Sequence, residues 1–251
     1  MKLISCAHPG KIGDTLFALP AIRELCRIHQ AKADFFVRPW CEPARSLIEY
    51  QPYINSMRTD APEIQAGRLQ PLTDMPPGYD GYFDISWTKM DLFPLPESLA
   101  EAAGLPRRIG RNLQLDIPEG GYPPGDYIVL SARSQGKLIF EDLFEEFCKK
   151  SELDVYVVGG TGDHLQNGYD ACGISFLAMA QMIAHAKAYV GVFSSPLVVA
   201  QAFPIPKTCV FDGVTWHPTQ IIMDGENSYL VNPTVNELLI SSRRDLTVKR
   251  I

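Results

Sequence analysis

Apolar residues alternate along this chain between two spacings. Residues 2–7 form a short apolar run that suits a strand, and beyond a His8-Pro9-Gly10 break apolar positions recur at 16, 19, 22, 25 and 26. That second spacing predicts a helix within residues 14–28, with Asp14 of a good N-cap type. Pro20 removes one backbone donor, so the helix is expected either to kink there or to begin later than Asp14. Further elements are a strand at 34–37, a helix at 42–50, a strand at 53–59, a strand at 80–87 and a helix at 95–103 closed by Gly104.

Gly120-Gly121-Tyr122-Pro123-Pro124-Gly125 supports neither helix nor strand. Residues 120–126 therefore read as a linker between domains 1–119 and 127–251. After the linker the alternation restarts, with strands at 127–131, 154–158, 188–192 and 208–211 and helices at 140–149, 176–186 and 196–202. Residues 213–232 are poorly patterned, and 233–243 suit a final helix. Strands alternating with short helices mean βαβ units and parallel sheets. The expected class is α/β, with two Rossmann-like domains facing across a cleft.

Composition narrows the function. The 251 residues are 46% hydrophobic and 21% charged, which excludes disorder and collagen-like structure. A net charge of -6 argues against broad nucleic-acid or anionic-membrane binding, which needs a cationic surface. The six cysteines at 6, 26, 41, 148, 172 and 209 include no C-x-x-C pair and the five histidines fall singly, so no metal site is expected and the thiols should be reduced. No apolar stretch approaches a membrane span and the first run is too short for a signal sequence; a cytoplasmic protein is expected.

Four segments at strand ends can carry chemistry. Gly13-Asp14 lies between strand and helix, where open α/β folds place ligands, and Asp14 is either a general base or an N-cap. As a free carboxylate at a helix N-terminus it would be held ionised, and it becomes a stronger base only if desolvated. Ser131 to Lys137 puts Ser131, Arg133, Ser134 and Lys137 after the first strand of the second half, a set suited to a diphosphate or to an ordinary polar loop. Gly159, Gly160 and Asp163 follow a strand as in a nucleotide-binding turn, with Asp163 either accepting from a ribose hydroxyl or solvated. Ser194-Ser195-Pro196 reads as a capped helix start, Ser195 at the N-cap and Pro196 first in the helix, where free amides can meet an anion. Arg107, Arg108 and Arg111 form a basic loop that meets either an anionic acceptor or solvent.

Taken in order, these segments resemble the heptosyltransferase-like glycosyltransferases, the family of ADP-heptose:lipopolysaccharide heptosyltransferases. Gly13 to Leu25 is similar to the family's amino-terminal G-D-x-[IL]-x-x-[LT]-P-A motif, Ser131 to Lys137 to its N-P-G-[AS]…K loop, Val157 to Asp163 to its nucleoside-contacting turn, and Ala188 to Phe211 to its v-G-x-D-[ST]-G segment. The resemblance implies a GT-B architecture, with the acceptor on the first domain and the nucleotide sugar on the second. It implies an inverting, metal-independent transfer of a sugar from a nucleoside-diphosphate donor to a hydroxyl acceptor, a glycan or glycolipid. Asp14 would be the base, Lys137, Ser194 and Ser195 would hold the diphosphate, and no cofactor beyond the substrate is implied. The chain departs from the pattern at Phe193, where the family has a donor-side aspartate, at Ser195, where it has glycine, and near Val198, where it has histidine. A nucleotide-sugar epimerase on the same fold, or an inactive nucleotide- or partner-binding relative, are the alternatives.

Overall fold

A computed structural model of the chain describes residues 1–60, 78–86, 94–134, 137–211 and 227–243. These fall into two compact units divided between Ile117 and Pro118.

In the first unit, β1 (Lys2–His8), β2 (Ala31–Val37), β3 (Ile54–Arg58) and β4 (Tyr82–Asp84) form a parallel sheet in the order β3-β2-β1-β4. The middle strands are buried along most of their length, as continuous apolar runs such as Phe35-Phe36-Val37 require. Helix α1 (Ile12–His29) connects β1 to β2 and buries Leu16, Leu19, Ile22, Leu25 and Cys26, the positions picked out by helical spacing. It starts two residues before Asp14 and runs through the buried Pro20, so the later start is corrected. Asp14 is consequently not the N-cap. Lys11 is, and Asp14 on the first turn accepts the Lys11 backbone N–H at 3.0 Å. The 42–50 region divides into a 3-10 turn, Pro39–Ala44, and the short helix α2 (Arg45–Glu49). Helix α3 (Leu95–Ala102) packs on α1.

In the second unit, β5 (Tyr127–Ser131), β8 (Asp154–Gly159), β9 (Tyr169–Cys172), β10 (Ala188–Val192), β11 (Lys207–Phe211) and β12 (Asn227–Val231) form a parallel sheet ordered β12-β11-β10-β5-β8-β9. Strands β6 (Arg133–Ser134) and β7 (Lys137–Leu138) pair antiparallel, so the loop expected after β5 is a small hairpin. Helices α4 (Glu141–Lys150), α5 (Phe176–His185), α6 (Ser195–Ala200) and α7 (Val235–Arg243) complete the unit. On one sheet face Ile128, Leu130, Val155, Val157 and Val190 close over Phe144 and Phe147 of α4 and Leu238 of α7. Phe144 and Phe147 are one helical turn apart, which aims both at the sheet. Gln181 of α5 donates to the Pro118 and Gly120 carbonyls at 3.1 and 2.6 Å, and Tyr122 stacks on His185 at 3.6 Å, so this Gly/Pro segment is fastened to the second unit.

Counted in chain order without the hairpin, the second sheet reads 3-2-1-4-5-6, the dinucleotide-binding arrangement, and the first reads 3-2-1-4. Each therefore reverses its winding beside its first strand, between β1 and β4 and between β5 and β10. Gly191 sits at the second of these points. A Cβ there would lie 2.6 Å from the Ser131 carbonyl oxygen and 2.7 Å from the Tyr189 hydroxyl, both in the packed interior. Gly191→Ala is expected to cost about 1–3 kcal/mol, the usual penalty of overpacking, measured by urea unfolding.

Candidate functional site

At the carboxyl edge of the first sheet, the turn Pro9-Gly10-Lys11 carries the chain from β1 into α1. Gly10 is required there because a Cβ would come within 3.0 Å of both His8 Nε2 and Asp14 Oδ2, which places imidazole and carboxylate both against this glycine. His8 is 0% exposed. Its Nδ1 lies 2.5 Å from the Ile85 carbonyl, which can only accept, so Nδ1 carries the proton and the neutral ring presents Nε2 as an acceptor. Burial, helped by the Arg38 charge and opposed by the Ile85 bond, holds the imidazole pKa down at about 4. For Asp14, burial raises the carboxyl above its ordinary value, against the Lys11 N–H bond and the Lys11 charge. Desolvation therefore outweighs the Lys11 bond and charge, the condition under which a carboxylate gains basicity.

The same edge carries groups that the pattern of apolar residues does not single out. Asp84 ends β4, and burial raises its carboxyl against hydrogen bonds from Ser86. Arg38 follows β2, with its guanidinium 4.7 Å from the centroid of the Trp40 ring. Trp40 Nε1 donates to the Gly10 carbonyl at 3.3 Å. Asp34, inside β2, is a closed arrangement instead: Asn55, Ser56 and Tyr79 each donate to it at 2.7 Å. Burial would raise its carboxyl, but the three donors outweigh that and hold it below its ordinary value.

In the second unit, residues from two of the expected segments converge on the point where the sheet reverses. Ser131 ends β5 and its hydroxyl lies 3.3 Å from that of Ser194, just past β10. Ser134 of the hairpin donates to the Phe193 carbonyl at 2.7 Å. The N-cap of α6 is Ser194, not Ser195, and Pro196 is second in the helix, because the helix begins one residue earlier than expected. Below them lies the fully buried Tyr189, whose hydroxyl burial pushes up and the Ser194 and Ser131 hydroxyls pull down.

Asp163 is neither solvated nor open. It is 3% exposed, one oxygen accepts the Gly160 N–H at 2.7 Å, and the other forms an ion pair with Arg133. This carboxylate ties the glycine turn after β8, with Gly159 and Gly160, to the hairpin after β5, and so commits Arg133 as well. Lys137 begins β7, while Gln135 and Gly136 lie outside the described residues, as do residues 87–93, with Trp87, and 212–226, with Gly213. In the first unit, Arg107 pairs with Glu101 at 2.8 Å and Arg111 with Glu97, so two of the three basic-loop cations carry carboxylate partners. Gly13 lies in the first turn of α1.

No protein-family model matches the chain, and no curated protein matches it in sequence. Solved structures do. E. coli ADP-heptose lipopolysaccharide heptosyltransferase II superposes with a TM-score of 0.70 at 16% identity, over 96% of this chain and 97% of that one. E. coli heptosyltransferase WaaC with ADP gives 0.63 at 14%, over 97% and 98%. The iron-containing dodecameric glycosyltransferase TibC of enterotoxigenic E. coli gives 0.63 at 15%, over 90% of this chain, which spans 65% of TibC. The chain shares the fold of these solved structures. Among the described residues no helix is long and apolar enough to cross a membrane.

The buried neutral His8 makes stability depend on pH. As pH falls from 6.5 toward about 4 the unfolded chain binds a proton that the folded imidazole refuses, so stability present above that window is lost within it. The shift is worth about 3 kcal/mol. Urea unfolding between these pH values should show a steeper loss in the native chain than in His8→Asn; equal slopes would contradict the assignment.

Proposed function

We propose that this chain is a glycosyltransferase that moves a sugar from a nucleoside-diphosphate donor to a hydroxyl acceptor. The observation that carries the reading is the placement of Asp14: a half-buried carboxylate with raised pKa at the winding reversal of the first sheet, within a fold shared with enzymes of this class. In this proposal the two units work as a GT-B pair, acceptor on the first and nucleotide sugar on the second. Asp14 takes the acceptor hydroxyl proton as the oxygen attacks the anomeric carbon, and the diphosphate leaves on the opposite side, so the configuration inverts. The proton ends on Asp14 and the electron pair on the departing diphosphate.

Charge on that leaving group grows in the transition state, and donors already aimed at it stabilise it without reorganisation. Ser131, Ser134, Ser194 and Ser195 supply hydroxyls and amides at the second winding reversal, and Lys137 supplies charge from β7. Arg133 joins them only by leaving Asp163, so it enters as a conditional ligand. No metal ion has a place in this proposal, and turnover is expected to survive chelation by EDTA. ADP-heptose and lipopolysaccharide, for which heptosyltransferase II of E. coli is named, are the first donor and acceptor to assay.

Asp14→Asn tests the base directly, because the amide oxygen can still accept the Lys11 N–H. Turnover is expected to fall roughly 10²- to 10⁴-fold with the unfolding midpoint nearly unchanged. In the native enzyme kcat/KM should fall as pH drops through the Asp14 pKa, with the acid limb above the ordinary aspartate value of 3.8. Nucleoside diphosphates at 100 times their Kd should add about 2.7 kcal/mol of stability. A panel of them without any stabilisation would overturn the donor half of the reading.

A further inference from the structure

We propose that Tyr189 is a positioning residue for the donor: its buried hydroxyl is a hydrogen-bond reserve that holds Ser131 and Ser194 turned toward a diphosphate. The inference rests on the glycosyl-transfer reading above, in which those two serines meet the leaving group.

Two fully buried tyrosines share one face of the second sheet, and the fold treats them differently. Tyr189 pairs with Val129, two residues after Tyr127, so both side chains lie on the face opposite Phe144 and Phe147. Tyr127 donates to the Met182 carbonyl at 2.8 Å, as a phenol in a dry interior is expected to. Tyr189 makes no hydrogen bond among the described residues. A phenylalanine would fill the same space without stranding a desolvated hydroxyl, so the extra oxygen is unfavourable to the fold by itself.

Gly191 determines where that oxygen goes. Tyr189 and Gly191 are two apart on β10 and share a face, and the ring lies along the strand over the glycine. A Cβ at Gly191 would stand 2.7 Å from the phenol oxygen and 3.1 Å from the ring carbon that bears it. The phenol is thereby carried to the carboxyl edge, behind the Ser131 and Ser194 hydroxyls, which lie 3.3 Å apart. Burial pushes the phenol pKa up, and both serine hydroxyls lie near enough to pull it back down, yet neither is bonded to it. Ser194 is partly exposed, Ser131 is buried behind it, and Tyr189 is the innermost of the three.

Each of these hydroxyls has one proton to give and two lone pairs to offer. Ser194 donates to the Val192 carbonyl at 3.2 Å and shares the contact with Ser131, so its proton is spent inside the fold. A diphosphate oxygen only accepts. To serve it, both serines turn their protons outward, which breaks the bond between them and leaves inward lone pairs unmet. Tyr189 is the donor in place to meet them, and hydrogen bonds in series strengthen one another, so its O–H also strengthens the serine's outward bond. No proton changes owner. The phenol gains its missing bond only when the ligand is held, and that gain adds to affinity.

Tyr189→Phe tests this in the full chain, with urea unfolding for stability and calorimetric titration for binding. The ligand is whichever of ADP, GDP, UDP and CDP stabilises the native protein most. The unfolding midpoint is expected to be no lower than native, because the fold itself gives the hydroxyl no partner. Affinity is expected to fall about threefold to tenfold, the weight of one net hydrogen bond. In a Ser131→Ala/Ser194→Ala background the same change should cost nothing further, since the phenol acts only through those oxygens. Where that background binds too weakly to titrate, the first two readouts decide. A lowered midpoint or failure to fold shows a tyrosine needed by the structure and overturns the proposal, as does an equal affinity loss in the serine background. Stabilisation by a nucleoside diphosphate with full affinity kept in Tyr189→Phe sinks this inference alone. No stabilisation by any of the four sinks the donor reading and this inference with it.

Discussion

A parallel sheet that winds first one way and then the other from its first strand must open at its carboxyl edge, because the two connections leave for opposite faces. Both units of this chain are built on that constraint, between β1 and β4 and between β5 and β10. Everything with chemical potential gathers there: His8, Asp14, Arg38 and Asp84 in the first unit, and Ser131, Tyr189 and Ser194 in the second. Strands and helices elsewhere serve to hold these two edges. The close approaches at Gly10 and Gly191, one beside each opening, show how tightly the backbone is drawn in around them.

The way buried polar groups are satisfied separates scaffold from site. Asp34 has three donors and a carboxyl held low; Asp163 has an amide and a guanidinium. Both are closed, and both fasten neighbouring segments. Asp14 has one backbone donor and a carboxyl pushed up by burial, and Tyr189 has, among the described residues, a buried hydroxyl without a hydrogen bond. Groups left in that condition are unfavourable in the free protein, and they are the ones a bound substrate would satisfy.

Much of this is legible in the residues. The apolar run 127–131 and the pattern at 188–192 coincide with β5 and β10, and the spacing at 16, 19, 22 and 25 marks the buried face of α1. Strands β9 and β12 escape pattern reading, since Tyr169–Cys172 is too short and too polar at its start to show a period, and Asn227–Val231 is an edge strand with polar residues at its beginning. Pro20 misleads in the other direction: its missing donor costs one bond, while the buried face of α1 spans the whole helix. Asp163 looks like a turn residue because nothing local announces that Arg133, thirty positions earlier, folds onto it. His8 shows only as part of the break after a strand, and Arg38 and Trp40 carry no pattern at all. The rule that draws attention to Asp14, position at the carboxyl edge of a parallel strand, applies to all three.

Whether the second winding reversal holds the donor diphosphate decides the functional reading, and a crystal structure of the chain grown with a nucleoside diphosphate tests it most directly. The diphosphate oxygens are expected within hydrogen-bond distance of the Ser131 and Ser194 hydroxyls at the ends of β5 and β10. Nucleotide bound elsewhere on the protein, with those hydroxyls still paired to each other, would contradict it.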